Sequence, residues 1–232
     1  MDFNGLLDID RAILLFFNGS ESLFLDGVVV SLTNGLTWIP LYMALLFLVI
    51  KNNENMAQIM LAIGCAFLCV FLADGMTDGI IKPWVGRLRP LNDPAFKSSL
   101  DLVANVSGDK FSFFSAHAAN TMSIAIFFCL LVRSKVLNYT LFSWSLINCW
   151  TRLYLGMHYP SDIICGILWG CVAGAIGYVV FKNVYRRIST NANYISCQYT
   201  QTGYDLDDIN MVLTVVSFIL IYVVMKGILF TF

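Results

Sequence analysis

Long apolar segments limit what this chain can fold into more than any other feature. Hydrophobic residues make up 58% of the 232 residues and charged residues 12%, against about 25% charged residues in soluble domains. Six segments approach the roughly 20 residues that an α-helix needs to cross a bilayer. They are Val28 to Ile50, Ala57 to Ile81, Ala116 to Val132, Leu137 to Leu155, Asp162 to Phe181, and Ile209 to Leu229, each within a few residues. We therefore expect an all-α, polytopic membrane protein with six transmembrane helices.

We expect the whole chain, residues 1–232, to form a single membrane domain. The N-terminal "DIDRAILLFFNG" has too short an apolar run for a cleaved signal peptide, and it predicts a short amphipathic helix at the membrane interface. We expect the core over about 28–184, and then a polar, partly disordered cytoplasmic loop over 183–208. An extra C-terminal helix over about 209–230 follows.

Basic residues predict the orientation. Loops after the first, third and fifth segments are basic, which is typical of cytoplasmic loops, and they contain Lys51, Arg133, Lys135, Lys182, Arg186 and Arg187. The acidic N-terminal tail favours translocation, so both termini are expected outside. Another basic group, including Lys82, Arg89 and Arg152, then lies on the external side, where it suggests that an anion is held.

Composition excludes several classes of function. A net charge of −1 gives no reason to expect a nucleic-acid partner. Six of the seven cysteines lie in apolar runs, which indicates small core residues rather than a disulfide framework. Cysteine, histidine and carboxylate residues do not occur at metal-ligand spacing, so we expect no metal and no other cofactor.

Three polar clusters are predicted at the same external face. They are "KPWVGRLRP" at 82–90, "FFSAHAAN" at 113–120 and "TRLYLGMHYPSD" at 151–162, and they contain both histidines of the chain. Lys82, Arg89 and Arg152 are three cations suited to phosphate oxygens. Ser115 and Ala116 open a helix, whose free N–H groups also favour an anion.

His158 and Asp162 form the second part of the predicted site. Pro160 lies between them, so Asp162 is expected in the first turn of a helix, from which it can accept a hydrogen bond from the His158 ring. That bond would leave the other ring nitrogen free for attack. Taken singly, each residue has an ordinary structural explanation: an interfacial histidine, a snorkelling cation, a helix cap. Their coincidence in a chain poor in charge favours a site.

The three clusters resemble the signature of the type 2 phosphatidic acid phosphatase superfamily. The first motif, K-x6-RP, matches in full from Lys82 to Pro90. The second, usually PSGH, is similar to Phe114 to His117, with Phe114 for proline and Ala116 for glycine. The third, SR-x5-H-x3-D, is similar to the segment from Thr151 to Asp162, with Thr151 for serine.

The resemblance implies a catalytic role for each matching residue. His158 would attack phosphorus and form a phosphohistidine, Asp162 would orient it, and His117 would protonate the leaving oxygen. The phosphoryl oxygens would be held by Lys82, Arg89, Ser115, Ala116 and Arg152. The resemblance also implies that no metal is needed.

Other polar residues suggest a supporting shell. Asp78 lies one helical turn before Lys82, where it either positions that lysine or seals helix packing. Asn148, one turn before Arg152, either buttresses it or bonds to another helix. Arg87 is an extra cation beside the first motif. Four glycines four or three residues apart predict close helix packing, and they are Gly166, Gly170, Gly174 and Gly177.

The leading hypothesis is therefore a phosphatase in the bacterial inner membrane with its site facing the periplasm. Its expected substrate is a lipid phosphate or pyrophosphate: undecaprenyl pyrophosphate, a lipid A phosphate, phosphatidylglycerophosphate or phosphatidate. The oligomeric state stays open. The alternatives are an anion or lipid transporter using the same basic cavity, and a vanadate-dependent haloperoxidase. Transporters often show inverted repeats, and this sequence shows no repeat.

Overall fold

The computed structural model describes residues 3–103, 108–188 and 197–231. Throughout these ranges the regular structure is helical, and the only β pairing is in two isolated bridges. The α-helices are α1 Phe3–Phe17, α2 Leu23–Thr33, α3 Ile39–Lys51, α4 Met56–Met76, α5 Lys82–Val85, α6 Ala116–Val132, α7 Lys135–Tyr154, α8 Pro160–Ile188 and α9 Leu206–Phe230. The prediction of an all-α chain is confirmed.

Fewer helices than the six predicted have the length and composition of a membrane span. Within the described ranges, three continuous helical segments qualify: Met56–Val85, Pro160–Ile188 and Leu206–Phe230. A fourth span is present if Leu23–Thr33 and Gly35–Lys51 count as one, although they meet at an angle of 67°. Helix α6 is apolar but shorter, and α7 is more polar.

The single helix predicted over Val28 to Ile50 is wrong. The Asn34 side chain accepts a hydrogen bond from the Leu36 N–H at 3.0 Å and starts a 3-10 turn over Gly35–Trp38. Pro40 lies in the first turn of α3, where its missing N–H removes no helical hydrogen bond. The Trp38 indole donates to the Leu32 carbonyl at 2.8 Å and closes the bend.

The glycines of α8 bring it directly against the backbone of α6, as the sequence predicted. A methyl group at Gly166 would lie 2.6 Å from the Ser115 carbonyl oxygen, and one at Gly170 would lie 2.6 Å from the Ala119 carbonyl oxygen. Since neither gap admits a side chain, the N-terminal ends of the two helices lie side by side. That end of the helix pair carries the second and third motifs.

Helix α1 covers the same end of the bundle. It begins at Phe3, earlier than the predicted Asp8, and buries Leu14 against Phe96 and Tyr159. Its exposed side is apolar and includes Ile9, Ile13 and Phe16.

The opposite end of the bundle is closed by the segment before α9 and by the first turn of α9. Lys51 pairs with Asp208 at 2.6 Å, and the Thr202 hydroxyl donates to the Val132 carbonyl at 2.8 Å. Of the loop predicted over 183–208, the first residues continue α8, and residues 189–196 lie outside the described ranges. Its predicted disorder therefore stays a prediction.

Candidate active site

The first motif begins where α4 widens into one π-helical turn over Thr77–Ile81. Such turns often occur at functional sites. The turn is followed by Lys82, whose buried ammonium group pairs with Asp78 at 2.6 Å. The Asp78 side chain is 52% exposed, so the pair lies at the surface of the site rather than inside the helix packing.

Arg89 is held by the loop that leads to the second motif. Its backbone N–H donates to the Lys110 carbonyl at 3.2 Å, and its Nε donates to the Phe111 carbonyl at 3.1 Å. Asp109, which is largely exposed, lies 3.4 Å from Nη2. The side chain of Arg89 is buried, and burial lowers the pKa of its guanidinium.

The second motif caps α6. Ser115 is the N-cap residue, and its hydroxyl accepts from the Ala118 N–H at 3.4 Å. The Ser115 N–H donates to the Asp162 carbonyl at 3.1 Å and ties the second motif to the third. Ala116 and His117 therefore occupy the first turn, where backbone N–H groups have no partner within the helix. The His117 side chain is exposed.

Arg152 lies near the end of α7, and its side chain is buried. Its Nη2 donates to the Thr33 carbonyl at 3.2 Å, and its Nη1 lies 3.4 Å from the Met157 sulfur. The buried Nε has no hydrogen-bond partner within the described part of the chain. A buried guanidinium with a donor to spare suits an anionic ligand.

His158 lies buried just before α8. Its Nδ1 is 3.7 Å from Asp162 Oδ2, longer than a hydrogen bond, and 3.5 Å from the Ser112 hydroxyl. That oxygen of Asp162 already accepts from the Ser112 hydroxyl and, at 2.9 Å, from the Tyr159 N–H. Burial lowers the pKa of His158 to about 4, and Asp162 opposes the shift. The ring is thus neutral near pH 7.

The other carboxylate oxygen of Asp162 faces a group of side chains centred on Arg87. Arg87 Nη1 donates to Asp162 Oδ1 at 2.8 Å, and its Nη2 donates to Asp10 of α1 at 2.6 Å. Ser161 contacts both Arg87 and Asp10. The guanidinium lies 3.9 Å from the centre of the Tyr159 ring.

The three motifs converge on one place. Lys82, Arg89 and Arg152 all act electrostatically on His117. Lys82 and Arg89 also act on His158. The structure therefore gathers three cations and two histidines at one end of the bundle. Among the described residues, no group of three histidine, cysteine or carboxylate side chains is placed to hold a metal ion.

Asn148 and a further carboxylate on α4 bond away from the site. The Asn148 amide donates to the Trp144 carbonyl at 2.8 Å, one turn earlier on its own helix. Asp74, one turn before Asp78, accepts from the Asn120 amide at 2.6 Å and links α4 to α6.

An apolar groove of about 390 Å³ opens below the site. Helices α3, α4 and α6 form its walls, and Asn120 lies at the end nearer to His117, one turn away on α6. Met43 and Phe67 line the groove and are exposed. It therefore opens at the side of the helix bundle.

Three residues of this site escaped the sequence analysis: Asp10, Ser112 and Thr33. Asp10 is distant in sequence from every motif, and its charge suggested only translocation. Ser112 precedes the second motif by two residues, outside the signature. Thr33 contributes a backbone carbonyl, which carries no sequence signal. Only the tertiary packing brings Asp10 to Arg87, Ser112 to His158 and Thr33 to Arg152.

The fold and the site together are those expected of a membrane-embedded hydrolase of phosphate esters. Residues 58–186 match the PAP2 superfamily. The chain therefore belongs to the PAP2 superfamily, and it is an integral membrane lipid phosphatase.

Two relatives and one solved structure are similar over most of the chain. A lipid A 4′-phosphatase of Bacteroides thetaiotaomicron is 36% identical over 189 residues, covering 80% of this chain and 83% of the relative. A lipid A 4′-phosphatase of Porphyromonas gingivalis is 29% identical over 176 residues, covering 76% and 74%. A PAP2-type phosphatidylglycerolphosphate phosphatase from Bacillus subtilis has a similar fold, with a TM-score of 0.59 and 18% identity over 82% of this chain and 90% of that chain.

Proposed function

We propose that this protein removes a phosphate group from lipid A, at the periplasmic face of the inner membrane, through a phosphohistidine on His158. The observation that carries the proposal is the gathering of two histidines and three cations at one end of the bundle. The two lipid A 4′-phosphatases among its relatives favour lipid A over the other lipid phosphates.

Attack on phosphorus is assigned to Nε2 of His158. Its Nδ1 faces Ser112 and Asp162, so Nε2 is the nitrogen left for the substrate. The new N–P bond forms as the P–O bond to the lipid breaks. The imidazolium charge that develops is balanced by Asp162, whose Oδ2 lies 3.7 Å from Nδ1 of the ring.

His117 supplies a proton to the leaving oxygen of the lipid, and it holds that proton while the bound phosphate offsets the charge of the neighbouring cations. It lies in the first turn of α6 beside the three cations. Water then attacks the phosphohistidine and gives a proton to His117, which the first step left unprotonated. The N–P bond breaks, and inorganic phosphate leaves. Lys82, Arg89 and Arg152 neutralise the phosphoryl oxygens during both steps, aided by the N–H groups of Ala116 and His117 and by the Ser115 hydroxyl.

The apolar groove between α3 and α4 is assigned to an acyl chain of the lipid. Its walls are apolar, and it ends one helical turn from His117. An acyl chain lying there would place the lipid headgroup at the three cations. This arrangement requires α6 and α7 to cross the bilayer with the longer helices, so we propose six crossings in which α2 and α3 form one bent span.

A substrate panel tests the proposed function. Purified protein in detergent with EDTA would be given lipid A, phosphatidate, phosphatidylglycerophosphate and undecaprenyl pyrophosphate, and phosphate release would be measured. We expect the highest kcat/KM on lipid A and no release by His158→Ala. A higher kcat/KM on any of the other three lipids would contradict the substrate. Turnover by His158→Ala would contradict the mechanism.

A further inference from the structure

Helix α1 reaches the back of the catalytic pair through one buried carboxylate. Asp10 is 7% exposed, although α1 otherwise presents an apolar exposed side. Its Oδ1 accepts from the Ser161 N–H at 2.8 Å, in the first turn of α8. Its Oδ2 accepts from Arg87 at 2.6 Å and from the Ser161 hydroxyl. A carboxylate this far from water needs such partners to remain charged.

Arg87 connects this carboxylate to the one beside the nucleophile. One end of its guanidinium bonds Asp10, and the other bonds Asp162 at 2.8 Å. Stacking on Tyr159 fixes the plane of the guanidinium. The order of contacts is therefore Asp10, Arg87, Asp162, His158, and it runs from an N-terminal helix to the reacting ring.

The charge of Asp10 matters because Arg87 lies between two carboxylates. With Asp10 ionised, the charge of Arg87 is shared, and Asp162 keeps negative charge to offer His158. Without Asp10, Arg87 is balanced by Asp162 alone, and less of that charge is available to the imidazolium that forms during attack. Partially buried charges interact strongly enough for this to affect a rate.

We infer that Asp10 is a positioning residue, which sets the charge and orientation of the His158–Asp162 pair through Arg87. This inference rests on the proposed role of His158 as nucleophile. Asp10 lies outside the part of the chain that matches the PAP2 superfamily, which begins at residue 58. The inferred role makes α1 part of the catalytic apparatus rather than only a membrane contact.

The test compares the same substitution at two aspartates of α1. Asp10→Asn keeps the size of the side chain but removes the charge. Asp8→Asn makes the same change at an exposed position two residues earlier on the helix. We expect Asp10→Asn to lower kcat about 10-fold or more with KM unchanged, which is comparable to the roughly 10²-fold loss that a displaced catalytic group causes. Asp8→Asn should keep kcat within about twofold.

Two further variants separate a positioning role from a loss of folding. Asp10→Glu retains the charge and should recover most of the lost kcat. In an Arg87→Gln background, Asp10→Asn should cause a much smaller loss, because only the contacts of Asp10 with Ser161 then remain. If Asp10→Asn does not fold, Ser161→Ala takes its place and should lower kcat in the same direction by a smaller factor.

Several results would overturn the inference. These are an unchanged kcat in Asp10→Asn, an equal loss in Asp8→Asn, a rise in KM alone, or losses that multiply in the Arg87→Gln background. The proposed function is judged separately, by His158→Ala. If that variant is inactive while Asp10→Asn is fully active, the mechanism stands and only the role of Asp10 is rejected.

Discussion

At the scale of single residues, the two histidines have different surroundings and therefore different tasks. His158 is buried against Asp162 and Ser112, which suits a neutral nucleophile. His117 is exposed at the start of α6, where a leaving group can approach it. The roles of nucleophile and acid that the resemblance implies are consistent with this difference, and each proposed role has its own test.

His117→Ala should affect poor leaving groups most. A lipid alkoxide needs a proton as it departs, whereas an aryl oxide carries negative charge comfortably. We expect this variant to lose about 10² to 10⁴-fold on the lipid phosphate, which is the usual contribution of general acid catalysis, and much less on an aryl phosphate. Comparing kcat/KM on the two substrates measures the contrast, and His158→Ala is the control that should lose both alike. Equal losses in His117→Ala would leave it as a phosphate ligand.

The pH dependence should reveal the buried state of His158. Because burial lowers its pKa to about 4, the nucleophile stays unprotonated well below the ordinary histidine value of about 6.5. Activity therefore should be lost as the pH falls toward 4 rather than as it falls through 6.5. A profile of kcat/KM between pH 3.5 and about 8 checks this expectation. An acid limb centred near 6.5 would show that the nucleophile is solvated.

At the scale of elements, the packing of α6 on α8 holds the second and third motifs together. Gly170→Ala would place a methyl group 2.6 Å from the Ala119 carbonyl oxygen. We expect about 1–3 kcal/mol lower stability from this overpacking, together with lower activity. Thermal unfolding in detergent measures the first effect.

Gly64→Ala on α4 is the matched control. A methyl group there would meet no atom within 4 Å, so the exchange should be neutral or stabilise the helix by up to about 1 kcal/mol. If the two substitutions have equal effects on the melting temperature, close packing of α6 and α8 is not what stabilises this end of the bundle.

The sequence predicted these elements unevenly, and the reasons are physical. The period of small residues on α8 is local, so the contact of Gly166 and Gly170 with α6 was foreseeable. The break at Asn34 was not, because Gly35 to Trp38 are weakly polar and a hydropathy profile runs straight through them. The motif residues followed from the resemblance to the three-part family signature, whose spacings this sequence keeps. Asp10 and Ser112 did not, since their contacts exist only after helices distant in sequence have packed.

At the scale of the whole molecule, the six crossings that we propose put the site and the 197–205 segment on opposite sides of the membrane. Cys197 is the one exposed cysteine of the seven, and Ser98 belongs to the loop on the site side. With intact cells, an impermeant maleimide should leave Cys197 unlabelled and should label Ser98→Cys in a Cys197→Ser background. The reverse pattern would place the active site in the cytoplasm.

The central claim, attack by His158, is tested most directly by trapping the intermediate. Enzyme mixed briefly with lipid A carrying a radiolabelled phosphate would be quenched in alkali, because phosphohistidine is labile in acid. We expect the label to remain on the protein, to map to the peptide that contains His158, and to disappear in His158→Ala and after an acid quench. A label on any other residue, or turnover by His158→Ala, would contradict the mechanism.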